Sequence, residues 1–456
     1  MWLPLPHLLN ALPVQIDLFY RTGLSAIAIS ILSMAFACCA ISWLIHRATG
    51  SIAGGVTASA LLMLNPDVLY LQSTPMTEPL LFATTFLAVA LISDWAQSSA
   101  LSRPSSTRAA GWAMIAAVLT RYEAWPIVGT AIALAFVVLL RRGFTLAAAL
   151  RAVRGLALWP AWAIAAYLVN SKVSVGSWFV SSGFFVADNP AMGHPWQAWT
   201  QIWDGLVELT GPVLPWAAVI SGLAIVASAF MRKDQSLPQG RGGSRTAPTP
   251  AGGSRAAPSL FVVLALAACA ALPWSAYMKG HPVRIRYDVP LVAAAAAIAG
   301  AGVALLPRRL RPLAGAAIVA AAAWQAPPFQ SSAPVVHEAQ REMPNQRGRE
   351  TVTAYLKTHW DGQPIMMSMG SLAHYMHDLS HDGFGIADFL HEGNGEIWIH
   401  AARHPAPFVE WIAIEEYAEG GDALHWQAVH DENFLKGFAR VAQGGNVSLY
   451  RRLPKT

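Results

Sequence analysis

The chain has 456 residues, of which 54% are hydrophobic and only 12% charged, about half the charged share of an ordinary soluble domain. So few charges cannot clothe a water-facing surface of this size, which excludes a single large soluble domain. The formal net charge of +5 does not point to nucleic acid either, because the basic residues fall in short gaps between apolar stretches, as membrane topology requires. Cys38, Cys39 and Cys269 all lie inside apolar stretches and read as small core residues, not as a disulfide framework.

The N-terminus, Met1 followed by Trp-Leu-Pro-Leu-Pro, lacks the basic region of a cleavable signal. Ten apolar segments follow: Leu24 to Ile45, Ile52 to Leu64, Pro79 to Trp95, Ala109 to Leu119, Trp125 to Leu140, Leu156 to Val169, Val213 to Phe230, Leu260 to Tyr277, Val289 to Leu306 and Leu313 to Trp324. Those beginning at Ile52, Ala109 and Leu313 are shorter than the roughly 20 residues a crossing helix needs, so broken or partly buried helices are expected there. Alternate gaps collect 15 Lys and Arg, from Arg47 through Arg103 and Arg108, Arg141, Arg142, Arg151 and Arg154, to Arg308, Arg309 and Arg311, against 6 in the others. The positive-inside rule puts the first set in the cytoplasm and both termini outside. An outside N-terminus without a signal predicts a further helix upstream of Met1.

Residues 232–259 are rich in Gly, Pro, Ser and Arg and read as a flexible cytoplasmic loop. The composition changes after Pro327, which divides the chain into a transmembrane domain, 1–330, and a C-terminal domain, 331–456. In the tail, Arg349 to His359 has helical spacing, while Pro364 to Ser368, Trp411 to Glu415 and Asn446 to Arg451 read as strands. The fold class is mainly α: a polytopic transmembrane helix bundle with a small C-terminal α/β extracytoplasmic domain.

Ionisable groups at membrane depth are expensive and mark function. Three groups on the external side stand out. Asn65 to Pro79 contains prolines that break the helix; Thr74 or Thr77 would cap the next helix, with Asp67 nearby and Glu78 in its first turn, where the helix dipole favours a carboxylate. Thr120-Arg121-Tyr122-Glu123-Ala124-Trp125 joins two further segments, and Arg121 and Glu123 are a candidate ion pair. Lys279 to Pro290, with His281, Arg284, Arg286 and Tyr287, is a basic cluster that breaks the charge bias; its guanidinium groups suit phosphate oxygens, on a substrate or on anionic membrane lipid. The external loop Asn170 to Thr210 carries Trp178, Phe179, Phe184, Phe185, Trp196, Trp199 and Trp203, which suit the membrane interface or stacking against sugars. In the tail, His374, His377 and His381 with Asp378 and Asp382 read as a solvated helix face more readily than as a metal site. Met367-Ser368-Met369-Gly370-Ser371 is a weak candidate phosphate turn.

On Trp2 to Leu9, Asn65 to Pro79 with its Met-Thr-Glu-Pro end, Thr120 to Glu123 and His281 to Pro290, the first 330 or so residues resemble the GT-C superfamily of integral-membrane glycosyltransferases. The likeness is in particular to the branch related to protein O-mannosyltransferases and to bacterial aminoarabinose and lipopolysaccharide-core sugar transferases. The resemblance implies transfer of a sugar from a polyprenyl-phosphate-linked donor to an extracytoplasmic acceptor at the bacterial inner membrane, with no nucleic acid involved. It places Glu78 and Asp67 as catalytic candidates near the reacting centre. Arg121, Tyr122 and Glu123 would shape the cavity, and Lys279, His281, Arg284, Arg286 and Tyr287 would bind the carrier phosphate. It allows a divalent cofactor, Mg or Mn, and implies a further catalytic acid in a first external loop upstream of Trp2 to Leu9, a stretch this chain does not contain; Asp17 lies on the wrong side of that motif. A lipid or polysaccharide transporter and a non-catalytic membrane scaffold are the alternatives, the former disfavoured by the lack of a second copy of the Asn65 to Pro79 pattern.

Overall fold

The computed structural model describes residues 3–98, 104–176, 178, 189–231, 260–341, 343–418 and 421–454. Trp2, Arg103, Phe179, Phe184, Phe185 and the whole 232–259 loop lie outside the described residues. The chain forms two compact units, one up to Val336 and the other from His337 onward.

In the first unit every one of the apolar segments is helical. Among the described residues seven helices are long and apolar enough to cross a membrane, or up to eight if the bent pair Ile52–Met63 and Pro66–Gln72 counts as one span. The shortfall from ten segments falls on the three short ones, which form helices of 12 residues at Ile52–Met63, 15 at Pro104–Val118 and 15 at Arg311–Gln325. A 12-residue helix is only about 18 Å long, too short for a hydrocarbon core of about 30 Å. The bend of 74° falls where the sequence places it. Asn65 caps the second helix by accepting from the Val68 N–H at 3.1 Å, Pro66 occupies its first turn, and the Asn65 amide donates to the Leu209 carbonyl at 2.8 Å.

Burial separates the spans into layers. The spans Ile285–Leu305 and Glu78–Gln97 have 83% and 78% of their most apolar window buried within the protein, against 17% for Val213–Met231 and for Leu146–Ser174. The first two are therefore the axis of the bundle, and the latter two present most of their surface outward. Small residues let the short helix Ile52–Met63 approach the axial span Ile285–Leu305: a Cβ on Gly54 would sit 2.7 Å from the Gly300 carbonyl oxygen, and one on Gly300 would sit 2.6 Å from the Gly54 carbonyl oxygen. This reciprocal contact is the close packing that replaces the hydrophobic effect between helices in lipid.

Helix ends gather into two groups, as the alternating charge predicts. Arg47 pairs with Asp94 at 3.5 Å, Arg142 donates to the Ser98 carbonyl at 3.2 Å, and Arg141 donates to the Ala229 carbonyl at 3.1 Å, all at the end richer in Arg. Glu78, Arg121 and Arg286 gather at the opposite end. Two readings need correction. The sixth apolar segment is the core of a longer helix, Leu146–Val175, that starts at a Thr145 cap and carries Arg151 and Arg154 before its apolar run. The stretch read as one external loop contains the helix Pro195–Thr210, whose Trp-rich outer face obscured its periodicity.

The second unit holds a five-stranded sheet in the order β2-β1-β3-β5-β4, with β1 at Ile365–Met367, β2 at Phe389–Leu390, β3 at Trp411–Glu415, β4 at Phe438–Gly444 and β5 at Val447–Arg452. β2, β1 and β3 are parallel; β3, β5 and β4 are antiparallel. Both faces are covered, and side chains alternate between two cores: Ile365, Met367, Trp411 and Ala413 pack with Val352, Leu356 and Leu379, while Met366, Ile412 and Ile414 pack with Trp398, Leu424 and Phe434. β1, β3 and β5 follow the sequence reading. β2 is only two residues long, and β4, Phe-Ala-Arg-Val-Ala-Gln-Gly, is broken by a bulge between Arg440 and Ala442, so neither carries a regular apolar alternation. Gly445 and Asn446, with φ of 55° and 64°, make the two-residue turn between β4 and β5. Among the described residues no three His, Cys, Asp or Glu side chains converge as a metal site requires; His377 and His381 stack edge to face, ring centroids 5.1 Å apart. Ser368 and Ser371 donate to Glu392 and Asp422, so that turn is filled by its own carboxylates, not shaped for a phosphate.

Replacing Gly54 with Leu is expected to push the helix Ile52–Met63 away from the axial span Ile285–Leu305 and cost about 1 to 3 kcal/mol, the usual range for overpacking. Thermal unfolding in detergent should show a clear fall in midpoint, whereas Leu at Gly155, where an added Cβ meets nothing within 4 Å, should leave it nearly unchanged.

Candidate functional site

Three spans begin at the same place, and each begins with an acid. Glu78 lies in the first turn of Glu78–Gln97, Glu123 is the N-cap residue of Ala124–Arg141, and Asp288 is the N-cap residue of Val289–Leu305. Pro79 and Pro290 occupy the first two positions of their helices, where a missing N–H costs nothing. Three helix N-termini, each with a partial positive charge, thus face one region, and the acids answer them.

Glu78 is the centre of the arrangement. Its carboxylate is fully buried, and its Oε1 accepts from Arg121 Nη1 at 3.0 Å and from Arg286 Nε at 2.7 Å. Arg121 spends the rest of its fork on Glu123, donating through Nε at 3.1 Å and Nη2 at 2.5 Å, and its Nη1 also reaches Thr77 Oγ1 at 3.0 Å. Burial works against charge on Arg121, but Glu123 and then Glu78 outweigh it and hold the guanidinium above its already high ordinary range. Thr77 therefore stands at the N-cap position without capping through its side chain, because its hydroxyl oxygen takes the Arg121 hydrogen bond. Thr74 points back along its own turn, donating to Leu71 at 2.9 Å. The two formal charges of Glu78 and Glu123 match those of Arg121 and Arg286, which is the condition for keeping four such groups at depth.

Tyr122 forms one wall. Its hydroxyl meets that of Tyr167 at 2.5 Å, and the rings of Tyr122, Tyr167 and Trp125 pack edge to face. Burial, and then the Tyr167 hydrogen bond, push the Tyr122 phenol upward, so it stays neutral. Arg286 lies in the 3₁₀ turn Ile285–Asp288 with Arg284 immediately before it, and its side chain remains 27% exposed, the outward-facing member of the cluster. His281 packs edge-on against Tyr287 at 5.3 Å, and Lys279 is exposed at the end of its helix. Asp288, fully buried, sits against Gly205: a Cβ there would be 2.2 Å from its Oδ2.

The structure brings together Glu78, Arg121, Glu123 and Arg286, with Tyr122 beside them. It does not bring Asp67 to Glu78. Asp67 is buried, its Oδ1 accepts from the Val335 N–H at 2.8 Å, and its acidic neighbour is Glu208. Asp17 is exposed and paired with Arg21 at 2.8 Å. A divalent metal does not fit at Glu78, since two guanidinium groups already hold that carboxylate and would repel a dication. Sequence reasoning passed over Asp288 and Tyr167; the repeated placement of an acid just before an apolar run that begins near Pro was the signal for the first, and Tyr167 carried none.

No protein-family model matches the chain, and no curated protein matches it. Among solved structures it is similar in fold to ArnT from Cupriavidus metallidurans bound to undecaprenyl phosphate, with a TM-score of 0.57 at 11% identity, covering 99% of this chain and 88% of that one. The apo state of the same ArnT gives a TM-score of 0.55 at 11% identity, over 98% and 87%.

The shared carboxylate oxygen predicts coupling. Glu78→Gln removes the buried carboxylate that Arg121 and Arg286 share and is expected to cost about 3 to 5 kcal/mol. Arg286→Met in the same chain should recover part of that loss. A double-mutant cycle of unfolding midpoints in detergent that is additive within error would show that Glu78 and Arg286 do not interact.

Proposed function

We propose that the chain is a GT-C-type membrane glycosyltransferase that moves a sugar from a polyprenyl-phosphate carrier to an acceptor on the outer side of the bacterial inner membrane, with its C-terminal domain extracytoplasmic. The observation that carries this reading is the Arg286 guanidinium, anchored by Nε on buried Glu78 and partly exposed at one end of the bundle. The fold it shares with ArnT, which was solved with undecaprenyl phosphate, supports it.

The chemistry follows from charge. When the bond between the sugar's anomeric carbon and the carrier's phosphate oxygen breaks, the phosphate leaves with the electron pair and gains negative charge. Cations fixed in advance lower that barrier without having to reorganise. Arg286, with Arg284 before it in the chain and Lys279 and His281 on the same segment, supplies that charge. Arg121, locked on Glu123 and Glu78, shapes the site and holds Glu78 in place. Glu78 takes two charge-assisted hydrogen bonds on Oε1 and organises the arginines, while its buried Oε2 accepts no hydrogen bond and is the oxygen from which it would act as a base. Asp67, on the broken segment, fixes the Val335 main chain. Tyr122 and Tyr167 give a neutral aromatic wall of the kind that packs against a sugar face.

The test has two readouts. Undecaprenyl phosphate should raise the unfolding midpoint of the wild-type protein and not that of Arg286→Ala. Radiolabelled sugar should pass from native lipid extracts to a lipid, glycan or protein acceptor, with Arg286→Ala lowering the rate by about 100- to 1,000-fold, the cost of losing one transition-state donor, and Arg286→Lys lowering it less. Carrier binding that survives Arg286→Ala unchanged would overturn the site assignment. Substrate counterflow in vesicles without transfer would overturn the enzyme in favour of a transporter.

A further inference from the structure

The helix Pro195–Thr210 has three faces. Ala198, Ile202, Gly205, Leu206 and Leu209 are buried against the first unit. The remaining surface divides in two. Trp196, Trp199, Trp203 and Val207 recur at intervals of three, four and four residues and form one stripe. Gln197, Thr200, Asp204 and Glu208 repeat the same spacing one residue later, about 100° around the helix. Trp196 and Trp199 are 77% and 48% exposed while Trp203 and Val207 are partly buried, so an aromatic face, open over its N-terminal half, lies beside a polar face.

The helix is strapped to span ends at three points. The Trp274 indole, on the span Phe261–Met278, donates to the Pro195 carbonyl at 3.2 Å, and Asn65, at the bend between Ile52–Met63 and Pro66–Gln72, donates to the Leu209 carbonyl at 2.8 Å. Trp203 packs edge to face, centroids 5.3 Å apart, on Trp216 in the opening turn of the span Val213–Met231. The aromatic stripe is therefore continuous with a span terminus, the level at which hydrocarbon must give way to water, and Trp is the residue that prefers that level. A helix with one face on protein, one of indoles and one of polar side chains fits an interfacial position and no other part of the bilayer.

We propose that the Pro195–Thr210 helix is a lipid-docking surface: Trp196, Trp199 and Trp203 bed into the headgroup and upper acyl boundary of the leaflet at the Glu78 end, and Gln197, Thr200, Asp204 and Glu208 face water. This surface does not depend on the sugar-transfer reading. It is tested by spin labels at position 199 (Trp199→Cys) and position 204 (Asp204→Cys), with Cys38, Cys39 and Cys269 replaced by Ala, in the full chain reconstituted in phosphatidylcholine vesicles. Collisions with oxygen should dominate at position 199, and collisions with a water-soluble nickel chelate should dominate at position 204, a several-fold inversion of the ratio. Equal access of the chelate to both positions, oxygen-dominated relaxation at both, or shielding of position 199 from both reagents as under a protein partner would each overturn the proposal. Should the cysteine replacements fail to fold, brominated lipid gives the same answer on native cysteines. Shallow bromines should quench wild-type fluorescence more than they quench Trp199→Phe, and equal quenching would overturn it.

Discussion

One carboxylate oxygen holds the business end of the bundle together. Glu78 Oε1 accepts from guanidinium groups that arrive on two different segments, one 43 and the other 208 residues further along the chain. A charge buried among apolar helices persists only if it is paired and hydrogen-bonded, so each member of the cluster dictates where the others sit. The constraint reaches the backbone: Glu78 opens one axial span and Asp288, two residues after Arg286, opens the other.

The packing below the cluster makes this arrangement rigid. Gly54 and Gly300 bring backbones into contact, and the axial spans are clad by the outward-facing Val213–Met231 and Leu146–Ser174 helices. A site mounted on the N-termini of packed helices is held more firmly than one on loops, which is what a fixed array of cations needs if it is to stabilise charge without reorganising. Asp67 belongs to a different part of that framework, fastening the broken segment to the main chain at Val335.

What could be read in advance tracks the strength of the local signal. The apolar segments, the break at Asn65–Pro66 and the three regular strands each carry their own periodicity or capping residue, and each was legible. Arg121 with Glu123 was readable as a pair because only two residues separate them. Helix Pro195–Thr210 was hidden by its indoles, β2 by its shortness and β4 by the bulge that breaks its alternation. The grouping of Glu78 with Asp67 rested on the family resemblance of the Asn65 to Pro79 stretch, and Asp67 accepts from the Val335 N–H.

The sequence by itself determined that this is a membrane chain with helices alternating between a strongly basic end and a weakly basic one, since hydropathy and charge act residue by residue along the chain. Only the tertiary structure decided that Arg286 and Arg121 meet on one oxygen of Glu78, that Tyr167 backs Tyr122, and that Gly205 leaves room for Asp288. Those contacts join residues tens to hundreds of positions apart, and local preference carries no information about which distant partner will neutralise a buried charge.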